Sequence, residues 1–310
     1  MKKTAGKIRI IFAAVILSVA VLSAGPGSIS AQASSVVKTH AASGYSGGTV
    51  PADAAAVYEA AEIKNAALDS CAATFTGQAE IFLTGTSSSG SENSSYTISG
   101  DMKAKNAGTE NLAYILNENI SSDSWHMNTG IFYENAAQYV SMDLYSGDVS
   151  EPVLSKKFKK TSGGSYVLPV LADSADPGSA GISAVTDMQM EKAGDSTILR
   201  YHANPEKLGI LGASLGNSLT NEISISGGTS VSSETVKVTS FGAEVTIGPD
   251  GYYTDKKIHM TMTIGDLMTE KADIDIKIEN PGVPVDFEMP SAEGYEEYDP
   301  ASMNQTAANQ

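Results

Sequence analysis

Residues 258–278, IHMTMTIGDLMTEKADIDIKI, carry the clearest structural signal in this chain of 310 residues. Apolar and polar residues alternate in two runs, one starting at Ile258 and the other ending at Ile278. A period of two predicts β-strands with one face in a core and the other in solvent. Such one-sided burial favours antiparallel strands over a parallel sheet buried on both faces.

The same alternation recurs along most of the chain and predicts a meander of strands. Between residues 238 and 241 its phase shifts by one residue, which predicts a β-bulge. Turn signals at Glu134-Asn135, around Gly194 and at Pro249-Asp250-Gly251 separate neighbouring runs. Further alternating runs lie at residues 79–83, 96–104, 112–116, 140–144, 188–190 and 223–225.

Two segments have helical rather than strand-like spacing. Residues 52–71 predict a helix whose apolar stripe is formed by Ala56, Val57, Ala60, Ala61, Ile63, Ala67, Leu68 and Cys71, with Asn65 on the polar side. Residues 204–219 begin with Asn204-Pro205-Glu206, a good start signal, and continue with leucines at helical spacing.

The N-terminus predicts export. A basic segment with Lys2, Lys3, Lys7 and Arg9 precedes an apolar run of about 15 residues, too short for a comfortable membrane span of ~20. Ala31-Gln32-Ala33 fits a signal peptidase site, so we expect cleavage after Ala33 and a secreted or cell-surface protein. An uncleaved anchor is the alternative. Pro26 stands where a lipoprotein would have its lipidated Cys, so we expect no lipoprotein.

Charge and composition exclude several classes of protein. Loss of the four basic residues of the signal segment takes the net charge from −16 to −20 and leaves Arg200 as the only Arg. Nucleic-acid binding requires a basic face and is therefore not expected. One Cys and four His leave no Cys-based metal motif, so we expect no metal and no cofactor.

The order of these segments resembles the LolA/LppX type of curved half-barrel protein, and in particular an uncharacterised exported Gram-positive group of that predicted fold. The resemblance is carried by residues 131–135 (IFYEN) with Gln138-Tyr139-Val140, by Gly251-Tyr252, and by Val283-Pro284-Val285 leading to Met289-Pro290. It implies a concave apolar face, covered by helices, that receives lipid or an acyl chain. It implies no catalytic residues.

We therefore predict an α+β, mainly β fold: a curved antiparallel half-barrel sheet of two meanders with helices on the concave face. The domain covers residues 51–290, with halves at about 51–146 and 185–290. A signal peptide (1–33) and a flexible leader (34–50) precede it. A flexible acidic tail (291–310) follows it.

An apolar ligand on the concave face is the leading functional hypothesis. Its lining would be soft and polarizable, because methionines dominate it. The alternative is that the helices simply fill this surface, as in any α+β core. The candidate residues are Met188, Met190, Leu208, Leu211, Leu215, Met260, Met262 and Ile264.

A cell-surface module that binds protein or glycan is the second hypothesis. Trp125 offers a stacking surface, and the alternative for it is an ordinary edge aromatic. Four lysines, Lys156, Lys157, Lys159 and Lys160, flank Phe158 and could contact anionic lipid headgroups or another cell-envelope component. The alternative for them is a solvated strand end.

Enzymatic signals are weak. Gly212, Ser214 and Gly216 match a nucleophile pattern, with Asp255 and His259 in the order of a triad, but the match lies in a leucine-periodic helical segment rather than a strand-to-helix elbow. A serine hydrolase is thus a remote alternative. We interpret Asp273, Asp275 and Lys277, with Glu270 nearby, as a solvated strand face. His202 and His259 fit no metal-binding spacing. We expect a non-enzymatic protein.

Overall fold

The computed structural model describes residues 50–83, 93–107, 109, 111–147, 149–161, 182–208, 236–265 and 268–297. They form a single open, curved sheet of 12 strands and, within these ranges, one α-helix. The predicted class, α+β and mainly β, is confirmed. No helix in these ranges is long and apolar enough to cross a membrane.

The helix and strands follow the chain in simple order. Short 3₁₀ helices at Ile182–Ala184 and Pro205–Leu208 lie just before and just after the strand pair of residues 185–203. The elements are α1 (Ala52–Ala66), β1 (Cys71–Leu83), β2 (Asn93–Lys105), β3 (Ala113–Ser122), β4 (Trp125–Glu134), β5 (Ala137–Ser146), β6 (Leu154–Thr161), β7 (Val185–Ala193), β8 (Ser196–Ala203), β9 (Val236–Ile247), β10 (Tyr253–Ile264), β11 (Met268–Glu279) and β12 (Glu296–Glu297).

Two antiparallel meanders make up the sheet, as predicted. Their order is β12-β6-β5-β4-β3-β2-β1-β11-β10-β9-β8-β7. The first strand of one meander, β1, pairs with the last strand of the other, β11, from Ala72 opposite Glu279 to Leu83 opposite Met268. Only the short β12 runs parallel to its neighbour, β6, among the pairings of the described strands.

Alternation along the strands gives the sheet two different faces. The inner face bears α1 and carries the buried apolar residues of every long strand, and the outer face is mostly polar. The predicted bulge is confirmed, since the register of β9 against β10 skips one residue between Val238 and Ser240. Asn135 and Ala136 both have positive φ in the predicted turn after β4.

The helix is shorter than predicted and presents a different face. It ends at Ala66, and Cys71 lies in β1 opposite Ala104. The predicted stripe was right for Ala61, Leu68 and Cys71, which are buried. It was wrong for Ile63, which is 67% exposed, and it left out Tyr58, which is buried. The predicted stripe counted small alanines as if they were large apolar residues. The ring of Tyr58 instead determines which side of the helix faces the sheet, because it packs edge-on against Tyr201 of the inner face, with ring centroids 5.4 Å apart.

Asn65 fixes the end of α1 against the sheet. Its side-chain amide donates a hydrogen bond to the carbonyl of Ala61 (2.7 Å), and its Oδ1 accepts one from the backbone N–H of Tyr253 (3.1 Å). Both bonds are buried, so this polar residue belongs to the packed side of the helix. The structure therefore places α1 on the inner face, where a covering helix was expected.

Several predicted segments lie outside the described residues. They include the signal peptide, residues 34–49 of the leader and the run at residues 223–225. Of the helix predicted at residues 204–219, the structure describes residues 204–208. Asn204 Oδ1 accepts a hydrogen bond from the backbone N–H of Glu206 (2.9 Å), and Pro205–Leu208 form a 3₁₀ helix.

The segment after β11 lies along the sheet. The backbone N–H of Val285 donates to Ser70 Oγ (3.4 Å), and Lys105 Nζ donates to the carbonyl of Phe287 (2.9 Å). These contacts hold the segment near the ends of β1 and β2, where it crosses from one meander to the other.

Residues 291–297, the start of the segment predicted as a flexible tail, also contact the sheet. The ring of Tyr295 packs edge-on against Phe132 and Tyr139 of the outer face, with centroid distances of 5.5 and 5.4 Å. Glu297 forms an ion pair with Lys159 at 3.3 Å. The structure therefore corrects this boundary, since aromatic packing holds these residues on the sheet.

Gly100 offers a test of the inner face. A Cβ at this position would lie 2.3 Å from the ring of Phe75 and 2.2 Å from the carbonyl oxygen of Asn117. We expect Gly100→Ala to lower the free energy of unfolding by about 1–3 kcal/mol, measured by urea denaturation. Gly130→Ala is the control, because its Cβ would meet only the Ser141 hydroxyl. Equal stability of the two variants would contradict the packing described.

Tyr295 tests the C-terminal segment. Each aromatic pair contributes about 0.5–1.5 kcal/mol beyond the area that it buries. Tyr295→Ala is therefore expected to lower the free energy of unfolding by about 1–3 kcal/mol, whereas replacement of the exposed Glu293 by Ala in the same segment leaves it unchanged. An unaltered urea midpoint for Tyr295→Ala would show that the segment adds no stability.

Candidate functional site

The apolar candidates that the structure describes lie on the inner face. Met188, Met260, Met262 and Ile264 are buried in the core, and Met190 is half-buried against it. Leu211, Leu215 and the side chain of Leu208 lie outside the described residues. The sheet thus brings methionines of β7 and β10 onto one surface, and that surface is covered rather than open to solvent.

Trp125 is not available at the surface. It begins β4 on the inner face and is only 7% exposed, so the prediction of a surface contact there was wrong. Its neighbour His126 points to the outer face, where its ring stacks on Tyr145 with centroids 4.4 Å apart. Successive side chains of a strand point to opposite faces, so Trp125 is buried on the inner face whereas His126 lies on the outer face.

The lysine group does not form a single patch. Lys156 lies opposite Met142 and belongs to the inner face of β6. Lys157 and Lys159 lie on the outer face, near Tyr295 and Glu297 respectively. The side chain of Lys160 lies outside the described residues. Successive side chains of a strand point to opposite faces, so Lys156 is separated from Lys157 and Lys159.

Glu270 is the least expected residue of the inner face. It lies in the apolar phase of β11, opposite Met262, and is 1% exposed. Its Oε1 accepts a hydrogen bond from the Tyr96 hydroxyl. Its Oε2 is buried and, among the described residues, has no hydrogen-bond partner. Burial raises the pKa of Glu270 to about 8, against the lowering effect of the Tyr96 bond.

Two alanines allow Tyr96 to reach this carboxyl. Tyr96 on β2 lies opposite Ala79 of β1, and Ala79 lies opposite Ala272 of β11. Small side chains at both positions leave room for the ring to cross β1 and approach Glu270. Burial and the nearby carboxylates, Glu270 first, raise the pKa of Tyr96 well above its ordinary value, so its hydroxyl stays protonated and donates.

Two further polar residues are buried on the same face. Glu118 of β3 lies opposite Thr129 of β4, and both are 6% exposed. Thr129 Oγ1 has no hydrogen-bond partner within the part of the chain that the structure describes. Glu118 contributes to the raised pKa of Tyr96, which places it near that ring. We call Tyr96, Glu118, Thr129 and Glu270 the inner polar cluster.

The cluster can hold a polar group. At neutral pH the raised pKa keeps Glu270 largely protonated, and because Oε1 accepts from Tyr96, the acid proton is available on Oε2 as a donor. Such a donor suits a carbonyl, ester or hydroxyl oxygen. The suggested triad is not assembled, since the Nδ1 of His259 contacts Asp273 at 2.5 Å rather than Asp255, and Ser214 lies outside the described residues.

Sequence reasoning missed Glu270 because it was grouped with Asp273, Asp275 and Lys277. Those three side chains lie on the outer face, as interpreted, whereas Glu270 is at an alternate position of the strand and lies on the inner face. A signal was present: Glu270 occupies an inner position between Met268 and Ala272 in an otherwise apolar series. A charged residue in the apolar phase of a strand is a reason to look for a buried partner or ligand.

Comparisons with known proteins do not assign a family. No family model matches the chain, and no curated protein matches its sequence. Among solved structures, it is similar to the ywiB protein from Bacillus subtilis (10% identity, TM-score 0.18, 69% of this chain and 94% of that one). It is also similar to a DUF1329 family protein from Desulfovibrio piger (11% identity, TM-score 0.20, 74% and 94%). At these TM-scores the likeness does not establish a common fold.

The raised pKa of Glu270 predicts a pH dependence of stability. Its pKa is about 8 in the folded protein and ~4.3 in an unfolded chain. Between these values the folded state binds one more proton than the unfolded state. The stabilisation that protonated Glu270 gives to the folded state is therefore fully present below about pH 4. It is lost as the pH rises to about 8, and over this range the free energy of unfolding falls by about 1.4 kcal/mol per pH unit.

Glu270→Gln removes this titration. In urea denaturation between about pH 5 and pH 8, we expect the free energy of unfolding of the wild type to fall relative to that of Glu270→Gln. Glu279→Gln, at an exposed position of the same strand, should keep the wild-type slope. Parallel pH profiles for the wild type and Glu270→Gln would contradict a raised pKa.

Proposed function

We propose that the chain is an exported, non-enzymatic binding protein for a ligand with an apolar body and a polar end, held on the inner face of the sheet. The observation that carries this proposal is the buried Oε2 of Glu270, which has no hydrogen-bond partner among the described residues. A ligand oxygen that accepts its proton would supply one. Export is supported by the basic and apolar N-terminal sequence.

Energetics favour a ligand at this point. A buried polar group without a partner costs about 1–3 kcal/mol, so it is retained where it performs a task. A ligand that hydrogen-bonds to the carboxyl would recover this energy on binding. Recognition by a few polar groups in a largely apolar surface is typical of small-molecule sites.

The apolar surroundings of Glu270 suit a flexible chain. Met262 lies directly opposite it on β10, with Met260 further along the same strand and Met268 two residues before it on β11. Unbranched thioether side chains adapt to ligands of different shape better than branched ones do. Together with the buried carboxyl they favour a lipid-like molecule with an uncharged polar head, such as a monoacylglycerol, over a purely hydrocarbon ligand.

Native mass spectrometry tests this proposal. We expect the protein purified from the culture medium to carry a lipid-sized mass, and the delipidated protein to bind monopalmitin more tightly than an alkane of the same chain length. Glu270→Leu keeps the volume but removes the donor, so it should bind monopalmitin at least about tenfold more weakly, equivalent to ~1.4 kcal/mol.

Glu279→Leu, an exposed change on the same strand, is the matched control and should bind like the wild type. Thermal unfolding of both variants shows whether each is folded. If a folded Glu270→Leu variant binds monopalmitin as well as the wild type does, or if the wild type binds neither ligand, the proposal fails.

An interaction module at the cell surface is the second candidate. It is favoured by the burial of the inner face, which leaves the outer face for contacts, and by the half-exposed stack of His126 on Tyr145. It predicts that the purified chain carries no lipid. It also predicts that replacing Tyr145 by Ala, and not Glu270 by Leu, weakens retention on cell-envelope material.

A further inference from the structure

The outer face carries a row of residues that the sequence does not reveal. Asp187, His202, Gly242, His259 and Asp273 come from five neighbouring strands, β7, β8, β9, β10 and β11. Each lies directly opposite the next in the strand register. The row is symmetrical about Gly242, with one histidine and one aspartate on each side.

Each histidine is fixed by the aspartate on its far side. The Nδ1 of His202 lies 2.9 Å from Asp187 Oδ1, and the Nδ1 of His259 lies 2.5 Å from Asp273 Oδ1. The Cδ2–Nε2 edge of the His202 ring faces Gly242 of β9. Since Nδ1 and Cδ2 lie on opposite sides of an imidazole ring, we infer the same orientation for His259. A carboxylate that accepts the Nδ1 proton leaves Nε2 as the free lone pair.

Gly242 leaves space between the two rings. A Cβ there would lie 3.1 Å from His202 Cδ2 and 3.5 Å from His202 Nε2, so any other residue would require the ring to shift by a few tenths of an ångström, and a branched side chain would occupy the space beside it. Neighbouring strands are ~4.8 Å apart, which places the Cα atoms of the histidines ~10 Å apart across the glycine. Imidazole rings that lean inwards from that distance can bring their Nε2 atoms to one metal ion, at ~2 Å each.

We propose that His202 and His259 form a binding site for a divalent transition-metal ion, such as Zn²⁺ or Cu²⁺, on the outer face. Imidazole nitrogens select these ions over Ca²⁺ and Mg²⁺, which require oxygen ligands. Asp187 and Asp273 orient the two ligands from behind, the role that a carboxylate, a backbone carbonyl or a water has at histidine metal sites. The strongly acidic chain also attracts cations to its surface.

Water completes the coordination. No group of three or more potential protein ligands surrounds a single point among the described residues. Glu244, two residues from Gly242 on the same face, is engaged by Arg200 (2.5 Å) and Lys257 (3.0 Å), whose hydrogen bonds lower its pKa. The site is therefore open, with two protein ligands, and we expect a dissociation constant in the micromolar range.

Titration calorimetry with Zn²⁺ tests the proposal on the secreted chain. His40 is first replaced by Ala, so that His126 becomes the only histidine outside the proposed site. This parent protein should bind one Zn²⁺ per chain. His202→Ala and His259→Ala should each bind at least about tenfold more weakly, and Asp273→Asn about tenfold more weakly, because it loosens a ligand without removing it.

Gly242→Val and His126→Ala complete the design. The valine keeps both histidines but fills the space between them, so Zn²⁺ binding should weaken as in the histidine variants. His126→Ala should bind like the parent. The proposal is overturned if the parent binds no Zn²⁺ at millimolar concentration, if His126→Ala loses as much affinity as His202→Ala, or if folded Gly242→Val binds like the parent.

Discussion

The pairing of β1 with β11 is the constraint on which the rest of the structure depends. It joins residues about 200 positions apart, Ala72 with Glu279 and Leu83 with Met268, and so converts two meanders into one sheet. Without it, each meander would expose an unpaired strand edge, which attracts other chains. Such long-range contacts cost loop-closure entropy, and only a long, regular ladder with a buried face can offset it.

Both candidate sites require this pairing, in different ways. Tyr96 reaches Glu270 across β1, so the inner polar cluster exists only while β2, β1 and β11 are neighbours. The histidine row lies within the second meander, and its last member, Asp273, stands on the strand that β1 holds in place. Loss of the β1 contact would therefore disrupt the cluster at once and affect the row only through β11.

Strand positions were predictable from the sequence, whereas contacts across the sheet were not. Alternation located β1, β2, β3, β5, β7, β10 and β11 and the bulge near Thr239, because a half-buried strand imposes its period on neighbouring residues. The orientation of α1 was missed, since it depends on Tyr58 meeting Tyr201, a residue of a distant strand. Glu270 was visible as a charge in an apolar phase, but its partner Tyr96 and the alignment of His202 with His259 exist only in the folded register.

The hairpin of β10 and β11 presents its alternate residues to the two candidate sites. Met262 and Glu270 face inwards, whereas His259 and Asp273 face outwards. A slip of one residue in either strand would exchange the two sets, burying a histidine or an aspartate and exposing the apolar residues. Burial of four isoleucine or methionine residues on β10 makes that exchange costly. Burial of the apolar side chains on the inner face thus fixes the strand register, and this register in turn aligns the polar residues on the outer face.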